Sequence, residues 1–248
     1  MRLIGAMVLI LCLPAAACSA QDISGKIIVT RKLTRPSVTA PVSVYQRGTS
    51  VKLGRTADKD PIAFELSRVV VYLEGNAAAS PAALTSPGSI EIKQVNRQFR
   101  PDLAVVPVGT TVSFPNMDPI FHDVYSLSKA KSFDLGAYDK GQTRRVTFTK
   151  PGVVEVYCHL HPNMAATIMV VANRYYAQPG SDGEYRISDV PPGHYTLVAW
   201  HKTAGFFRKT IDVEPDRATS ADFLIPLDAG GKEETAKSQP TEGGAEYR

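Results

Sequence analysis

The chain has 248 residues, of which 44% are hydrophobic and 21% are charged, and its formal net charge is +4. This composition excludes disorder throughout the chain and suits either one large domain or two small ones. The basic residues are too few and too scattered to indicate a nucleic-acid partner.

The beginning of the chain has the pattern of a secretory signal. A basic residue precedes an apolar run at residues 3–13, which is too short to span a bilayer. Cleavage after Ala20 gives a soluble protein, whereas cleavage before Cys18 gives a lipid-anchored one. Ala15 stands where lipoprotein signals usually carry a bulky aliphatic residue. We therefore expect a signal peptide over residues 1–20 and a periplasmic or secreted protein, attached to a membrane only if Cys18 is lipidated.

Two strands are predicted before the central region, at residues 25–30 and 68–75, because both segments are rich in β-branched residues. Prolines between them predict mostly irregular backbone, with a possible hairpin at residues 42–53. Basic residues concentrate here, namely Arg31, Lys32, Arg35, Arg47, Lys52, Arg55 and Lys59. They either form a solvated face or steer an acidic partner. Residues 76–88 are rich in Ala, Ser and Pro and are interpreted as a linker.

The central region, residues 90–171, alternates apolar and polar residues, as β-strands do. Val154, Val156 and Cys158 share one face of a predicted strand, so the thiol stands at the end of an inward-facing row. No helical period is long enough for a major helix. Several short strands separated by turns predict an antiparallel sandwich.

Four further strands are predicted after residue 173, followed by a polar tail at residues 228–248 that we expect to be disordered. Neither the strands before the central region nor those after it are enough to enclose a core. We therefore predict an all-β protein. One small sandwich is formed by residues 22–80 and 173–227, and a second sandwich, residues 86–172, is inserted within it.

Cys158, His161 and Met164 offer a thiolate, an imidazole and a thioether in one short stretch, and these ligand types favour copper. Two residues separate each ligand from the next, so a single tight loop can direct all three side chains at one ion. A His₂Cys site with a weak axial Met is the ligand set of blue-copper electron-transfer centres. His122 is the candidate for the second histidine.

Cysteine usage agrees with a ligand role. If cleavage follows Ala20, Cys158 is the only cysteine left, although exported proteins usually pair their thiols. A lone cysteine is either buried and inert, or it is a reactive or ligand-bound thiol. The neighbouring His161 and Met164 favour the ligand interpretation.

The central region resembles the cupredoxin family, and its amicyanin and plastocyanin members in particular. The resemblance rests on residues 106–116, on the segment around His122, and on the spacing of Cys158, His161 and Met164. It implies a Greek-key sandwich in which these four residues bind one mononuclear copper ion. It also implies an electron carrier whose partner is another redox protein, such as a cytochrome or a dehydrogenase.

Asp123 departs from the cupredoxin pattern. Many members of the family carry Asn directly after the first ligand histidine, where its amide braces the cysteine loop. An ionised carboxylate cannot donate those hydrogen bonds, which puts the redox potential in question. The flanking segments at residues 24–27, 182–187 and 191–197 resemble the carboxypeptidase regulatory-like, or transthyretin-like, sandwich, which implies a scaffold.

Three functions are compatible with this set of candidate ligands. The first is an exported blue-copper electron carrier with no enzymatic activity. The second is a copper-trafficking protein, but such proteins usually have Met-rich or His-rich tracts. The third is a structural module that has lost its metal, although all four ligand types are present.

Adjacent Cys-His pairs such as Cys158 and His159 also occur in multicopper oxidases, whose second copper cluster requires several further His-x-His pairs. The chain has five histidines in all, so we expect no oxidase or nitrite-reductase activity. We expect His159 to be an exposed residue at a strand end. His194 and His201 are expected on opposite faces of one strand.

Overall fold

The computed structural model describes residues 20–34, 60–75, 89–215 and 217–226. Apart from residue 20, the predicted signal peptide lies outside these residues. The possible hairpin, the linker at residues 76–88 and the polar tail lie outside them as well. Within the described part of the chain, no helix is both long enough and apolar enough to cross a membrane.

The described residues form strands and one short helix. In chain order they are β1 (Gln21–Val29), α1 (Pro61–Leu66), β2 (Val69–Leu73), β3 (Ile90–Glu91), β4 (Lys93–Val95), β5 (Gln98–Arg100), β6 (Leu103–Pro107), β7 (Thr111–Pro115), β8 (His122–Ser128), β9 (Lys131–Tyr138), β10 (Thr143–Thr147), β11 (Gly152–Cys158), β12 (Ala165–Val171), β13 (Tyr176–Ala177), β14 (Glu184–Val190), β15 (Gly193–His201), β16 (Gly205–Val213), β17 (Thr219–Ser220) and β18 (Phe223–Ile225).

One sandwich, here called the outer sandwich, combines strands from both ends of the described chain. In its first sheet β1 pairs with β14, β17 and β18, and its second sheet has the order β13-β2-β15-β16. Alternate residues of β1 face the second sheet, so Ile23 and Ile27 are buried against Leu73 and Leu197. The core of this sandwich therefore depends on residues far apart in sequence.

The second sandwich, here called the inner sandwich, uses strands that lie between those of the outer one in sequence. Its sheets have the orders β6-β12-β11-β8-β9 and β10-β7-β3. Phe114 from the smaller sheet packs with Val124, Val154 and Ile168 from the larger one, and all four are fully buried. β4 and β5 form a separate hairpin beside this sandwich.

The two sandwiches contact each other through a third apolar cluster. β12 is apolar on both faces, because Ile168 points into the inner core while Met169 points at the outer sandwich. Met169 packs with Trp200 of β15. At the border of this contact, Arg68 Nη2 donates a hydrogen bond of 2.5 Å to the Asp102 carboxylate.

The all-β fold predicted from the sequence is confirmed. The inner sandwich is mainly antiparallel, as predicted, but β6 runs parallel to β12 and β3 to β7. In the outer sandwich β1 runs parallel to β17 and β18. Periodicity does not distinguish these cases, because it reports which face of a strand is buried and not the direction of its neighbour. The residue bounds of the two predicted domains stay a prediction.

Helix α1 is not predicted by the sequence pattern, because six residues are too few to show a helical period. Local signals for it do exist. The Asp60 side chain accepts hydrogen bonds from the N–H groups of Ile62 and Ala63, and Pro61 occupies the first helical position. Proline is favoured there because its missing N–H would have no partner in the helix.

Candidate metal centre

The inner sandwich brings the first two predicted ligands to one edge of its larger sheet. β8 and β11 pair antiparallel, with Val124 opposite Cys158. His122 begins β8 and Cys158 ends β11, so both residues lie at the same edge. Both side chains are buried. The sheet itself therefore fixes the positions of the imidazole and the thiol.

The loop between β11 and β12 supplies the other two residues. Tyr157 pairs with Ala165, so the loop connects adjacent antiparallel strands. Within it, the N–H of Met164 donates a hydrogen bond of 3.0 Å to the carbonyl of His161. This bond closes a β-turn with Pro162 at its second position, where the fixed φ of proline is favoured.

The structure brings His122, Cys158 and His161 together. The two Nδ1 atoms are 3.1 Å apart, and Cys158 Sγ lies 3.7 Å from His122 Nδ1 and 3.6 Å from His161 Nδ1. A point equidistant from the corners of a triangle with these sides lies about 2 Å from each corner, the length of a metal–nitrogen bond. The donor atoms thus fit a trigonal metal site, and a His₂Cys set is the one that copper electron-transfer centres use.

Met164 lies beside this group and not in solvent. Its side chain is 1% exposed, and it belongs to the same buried cluster as Cys158. The three donor atoms of the triangle come from the other residues, so the predicted role of Met164 as a weak fourth ligand stays a prediction.

The surroundings of Cys158 favour its thiolate form. Burial raises the pKa of the thiol, but a hydrogen bond with His122 and hydrogen bonds from the N–H groups of Asp123 and Leu160 lower this pKa overall. The N–H of Asp123 lies 3.5 Å from Sγ. A metal binds the thiolate and not the thiol, so these contacts prepare the residue for that role.

The two histidines have opposite pKa shifts. Burial lowers the pKa of His122, but hydrogen bonds with Cys158 and Asp118 raise it overall. The pKa of His161 is lowered by burial and by the nearby charges of His122 and Arg97. A lowered pKa favours the neutral imidazole, which is the form that binds a metal.

Asp118 is part of this site although its role is not predicted from the sequence. Its carboxylate lies 2.9 Å from His122 Nε2, the ring nitrogen that faces away from the triangle. The same carboxylate accepts hydrogen bonds from the N–H groups of Asn96 and Arg97, at 2.6 and 2.8 Å. Burial raises the pKa of Asp118, but these bonds and the one from His122 lower it overall. A signal for this role does exist in the sequence, since Asn116 and Asp118 are turn-forming residues just before His122.

Asp123, the departure from the cupredoxin pattern, is braced through its backbone. Its N–H approaches Cys158 Sγ, and its carbonyl accepts a hydrogen bond of 3.0 Å from the N–H of His159. One carboxylate oxygen is buried and has no hydrogen-bond partner among the residues that the structure describes. Burial and the charge of Asp134 raise the pKa of this carboxyl group. The cysteine loop is therefore held by main-chain contacts.

The remaining histidines lie away from the triangle. His159 is exposed, as predicted, and its ring stacks on Tyr125 at a centroid distance of 3.6 Å. It forms a second group of metal-ligating residue types with Asp123 and Asp134, but His159 and Asp134 are exposed to solvent. His194 and His201 lie in the outer sandwich, the first exposed and the second buried, as their opposite faces predict.

Neither a protein-family model nor a curated protein sequence matches this chain. Among solved structures, the chain is similar to a Cu-containing nitrite reductase from Thermus scotoductus SA-01, with 30% identity over 38% of this chain and 25% of that chain, at a TM-score of 0.33. The chain therefore spans only a quarter of that enzyme.

Two smaller proteins are also similar. A purple cupredoxin from Nitrosopumilus maritimus is 27% identical over 34% of this chain and 98% of that chain, at a TM-score of 0.30. An amicyanin variant in its reduced Cu(I) form is 21% identical over 40% of this chain and 97% of that chain, at a TM-score of 0.32. Each of the three likenesses covers at most 40% of this chain.

Proposed function

We propose that this chain is an exported mononuclear copper protein that passes single electrons between redox partners. His122, Cys158 and His161 hold the ion, and Met164 is the weak fourth ligand. The observation that carries this proposal is the triangle of two Nδ1 atoms and one Sγ atom at the end of a buried strand row. Copper supplies the one-electron change between Cu(II) and Cu(I).

The protein's own contribution is to keep the ligands in nearly one arrangement in both oxidation states. His122 and Cys158 are buried at the ends of paired strands, so neither side chain has room to move. The β-turn at Pro162 limits the movement of His161. A site that changes little between two charge states needs little rearrangement of its surroundings during electron transfer, which suits a carrier.

Electrons would enter and leave near His161, the least buried of the three proposed ligands. Leu160 and Phe121, the sequence neighbours of the two ligand histidines, are 51% and 54% exposed. A contiguous exposed apolar patch is typical of surfaces that bind another protein, and a patch containing these two side chains is proposed as the docking surface. A redox protein such as a cytochrome or a dehydrogenase is the proposed partner, docked weakly so that it leaves quickly.

Export, the domain layout and the scaffold role belong to the same proposal. Export is supported by the signal pattern in the first twenty residues. The insertion of one sandwich in the other is supported by the pairing of β1 with β14, β17 and β18, which joins both ends of the described chain. The outer sandwich then serves as a transthyretin-like scaffold. Mass spectrometry of the exported protein identifies the cleavage site. A mature chain starting at Gln21 supports simple secretion, whereas a lipid-modified Cys18 at the start of the chain contradicts simple secretion.

A carrier and a trafficking protein differ in what leaves the protein, an electron or the copper ion. We expect the copper-loaded protein to give a reversible one-electron wave by voltammetry and to keep its Cu(I) when a chelator is added in moderate excess. Rapid loss of Cu(I) to the chelator without a reversible wave would favour trafficking. Turnover of nitrite or oxygen by the purified protein would instead favour an enzyme.

A further inference from the structure

The contacts of Asp118 assign it a role in the candidate metal centre. The Asp118 side chain is almost wholly buried, accepts two backbone N–H groups, and has an oxygen 2.9 Å from His122 Nε2. Two backbone N–H groups aimed at a buried carboxyl group favour its ionised form, and an ionised carboxylate can only accept a hydrogen bond from the imidazole. His122 Nε2 must then carry its proton, which leaves Nδ1 with the free electron pair that a metal needs.

We propose that Asp118 is a positioning residue for copper, which fixes His122 in the tautomer whose bare Nδ1 faces Cys158 and His161. The proposal rests on the copper function described above. A carboxylate that accepts the outer N–H of a metal-bound histidine fixes the orientation of the ring and makes its other nitrogen a stronger donor. It also places a negative charge one imidazole ring away from the ion.

Asp118 is itself held firmly, which a positioning role requires. Asn96 and Arg97 form the two-residue turn between β4 and β5, and both have positive φ, 54° and 57°. In this turn both N–H groups point at Asp118, and its two oxygens accept one each. The N–H of Asp118 donates in turn to the side chain of Asn116. The hairpin of β4 and β5 thereby supports His122 through one carboxylate.

A purely structural role is the alternative, in which Asp118 only caps the turn of this hairpin. The chain provides a matched control in the outer sandwich. Glu65 is also a buried carboxylate, accepts the N–H groups of Leu33 and Thr34, and pairs with a buried histidine, His201, at 3.2 Å. Glu65→Gln therefore removes the same kind of interaction far from the proposed copper ligands.

The test compares the wild-type protein, Asp118→Asn and Glu65→Gln after loading with copper. We expect Asp118→Asn to bind Cu(II) about 10 to 100 times more weakly, the range for residues that support a metal ligand. Cu(I) binding falls less, because Cu(I) carries one positive charge fewer. The reduction potential then rises, by 59 mV for each tenfold change in the ratio of the two affinities. Glu65→Gln should change stability but neither the potential nor the visible spectrum.

Two results would overturn the proposal while leaving the copper function intact. One is a folded Asp118→Asn protein whose potential and Cu(II) affinity match those of the wild type. The other uses the wild-type Cu(I) protein and needs no variant. ¹⁵N-correlated NMR should detect a slowly exchanging proton on His122 Nε2. The absence of this proton contradicts the proposal even if Asp118→Asn fails to fold. A wild-type protein that forms no thiolate–copper centre would instead defeat the proposed function, and the role of Asp118 with it.

Discussion

The contact between the two sandwiches gives a prediction with a built-in control. Met169 and Ile168 are neighbours on β12 and are both buried, at 2% and 0% exposure. Met169 points at Trp200 of the outer sandwich, whereas Ile168 points into the inner core. Truncation to Ala at either position leaves a cavity and should lower the free energy of unfolding by about 2–5 kcal/mol. The two substitutions should differ in which part of the protein opens first.

Urea unfolding with two probes measures this difference. Trp200 is the only tryptophan of the chain, so its emission reports on the contact between the sandwiches. Reaction of the Cys158 thiol in the metal-free mature protein reports on the inner sandwich. At about 1–3 kcal/mol per molar urea, the loss corresponds to a midpoint shift of about 0.7 M or more. In Met169→Ala the Trp200 emission should change at lower urea than the thiol reactivity.

In Ile168→Ala the two transitions should coincide, or the thiol should react first. A stabilising contact between the sandwiches is contradicted by a Met169→Ala protein that has the wild-type midpoint while an Ile168→Ala protein has a clearly lowered one. That pair of results would mean that the apolar contact adds nothing to stability and that the two sandwiches unfold independently.

Two further predictions concern the outer sandwich. Burial raises the pKa of Glu65, but hydrogen bonds from Thr34 and Leu33 lower this pKa overall. At pH values above the ordinary pKa of 4.5, the ionised Glu65 therefore stabilises the folded protein. This stabilisation is lost as the pH falls through the lower pKa of the folded state. The urea midpoint of Glu65→Gln should therefore be lower than that of the wild type at neutral pH, and the difference should shrink at acidic pH. A difference in midpoint that does not depend on pH would contradict this. Gly25→Ala should destabilise the protein by about 1–3 kcal/mol, since its Cβ would lie 2.0 Å from the backbone oxygen of Ala221. Thermal unfolding beside the exposed Ser24→Ala checks it, and equal midpoints would show that the backbone at Ala221 moves aside at no cost.

The sequence predicts those parts of the site that follow from local spacing. Cys158, His161 and Met164 lie within one loop, so their residue types and separations are enough to indicate a metal and to favour copper. The row of Val154, Val156 and Cys158 places the thiol at the end of a buried strand, as β11 shows. The two-residue period of the strand is therefore enough to predict that the Cys158 thiol faces the core.

Other parts depend on contacts between distant segments, which no local pattern contains. The position of Asp118 against His122 can be suspected from turn chemistry, but its bonds to the β4–β5 turn require the folded hairpin. The contact of Met169 with Trp200 joins strands of different sandwiches. Parallel pairing of β6 with β12 is likewise set by topology and leaves no trace in the apolar pattern.

In the proposed centre Cys158 binds copper as a thiolate together with His122 and His161. The most direct measurement is the visible and electron paramagnetic resonance spectrum of the purified mature protein titrated with Cu(II), beside Cys158→Ser and the neighbouring control His159→Ala. We expect an intense thiolate-to-copper charge-transfer band with narrow hyperfine splitting at one equivalent of copper, kept in His159→Ala and lost in Cys158→Ser. A colourless wild-type protein, or the broad signal of Cu(II) bound only by nitrogen and oxygen, would contradict the claim.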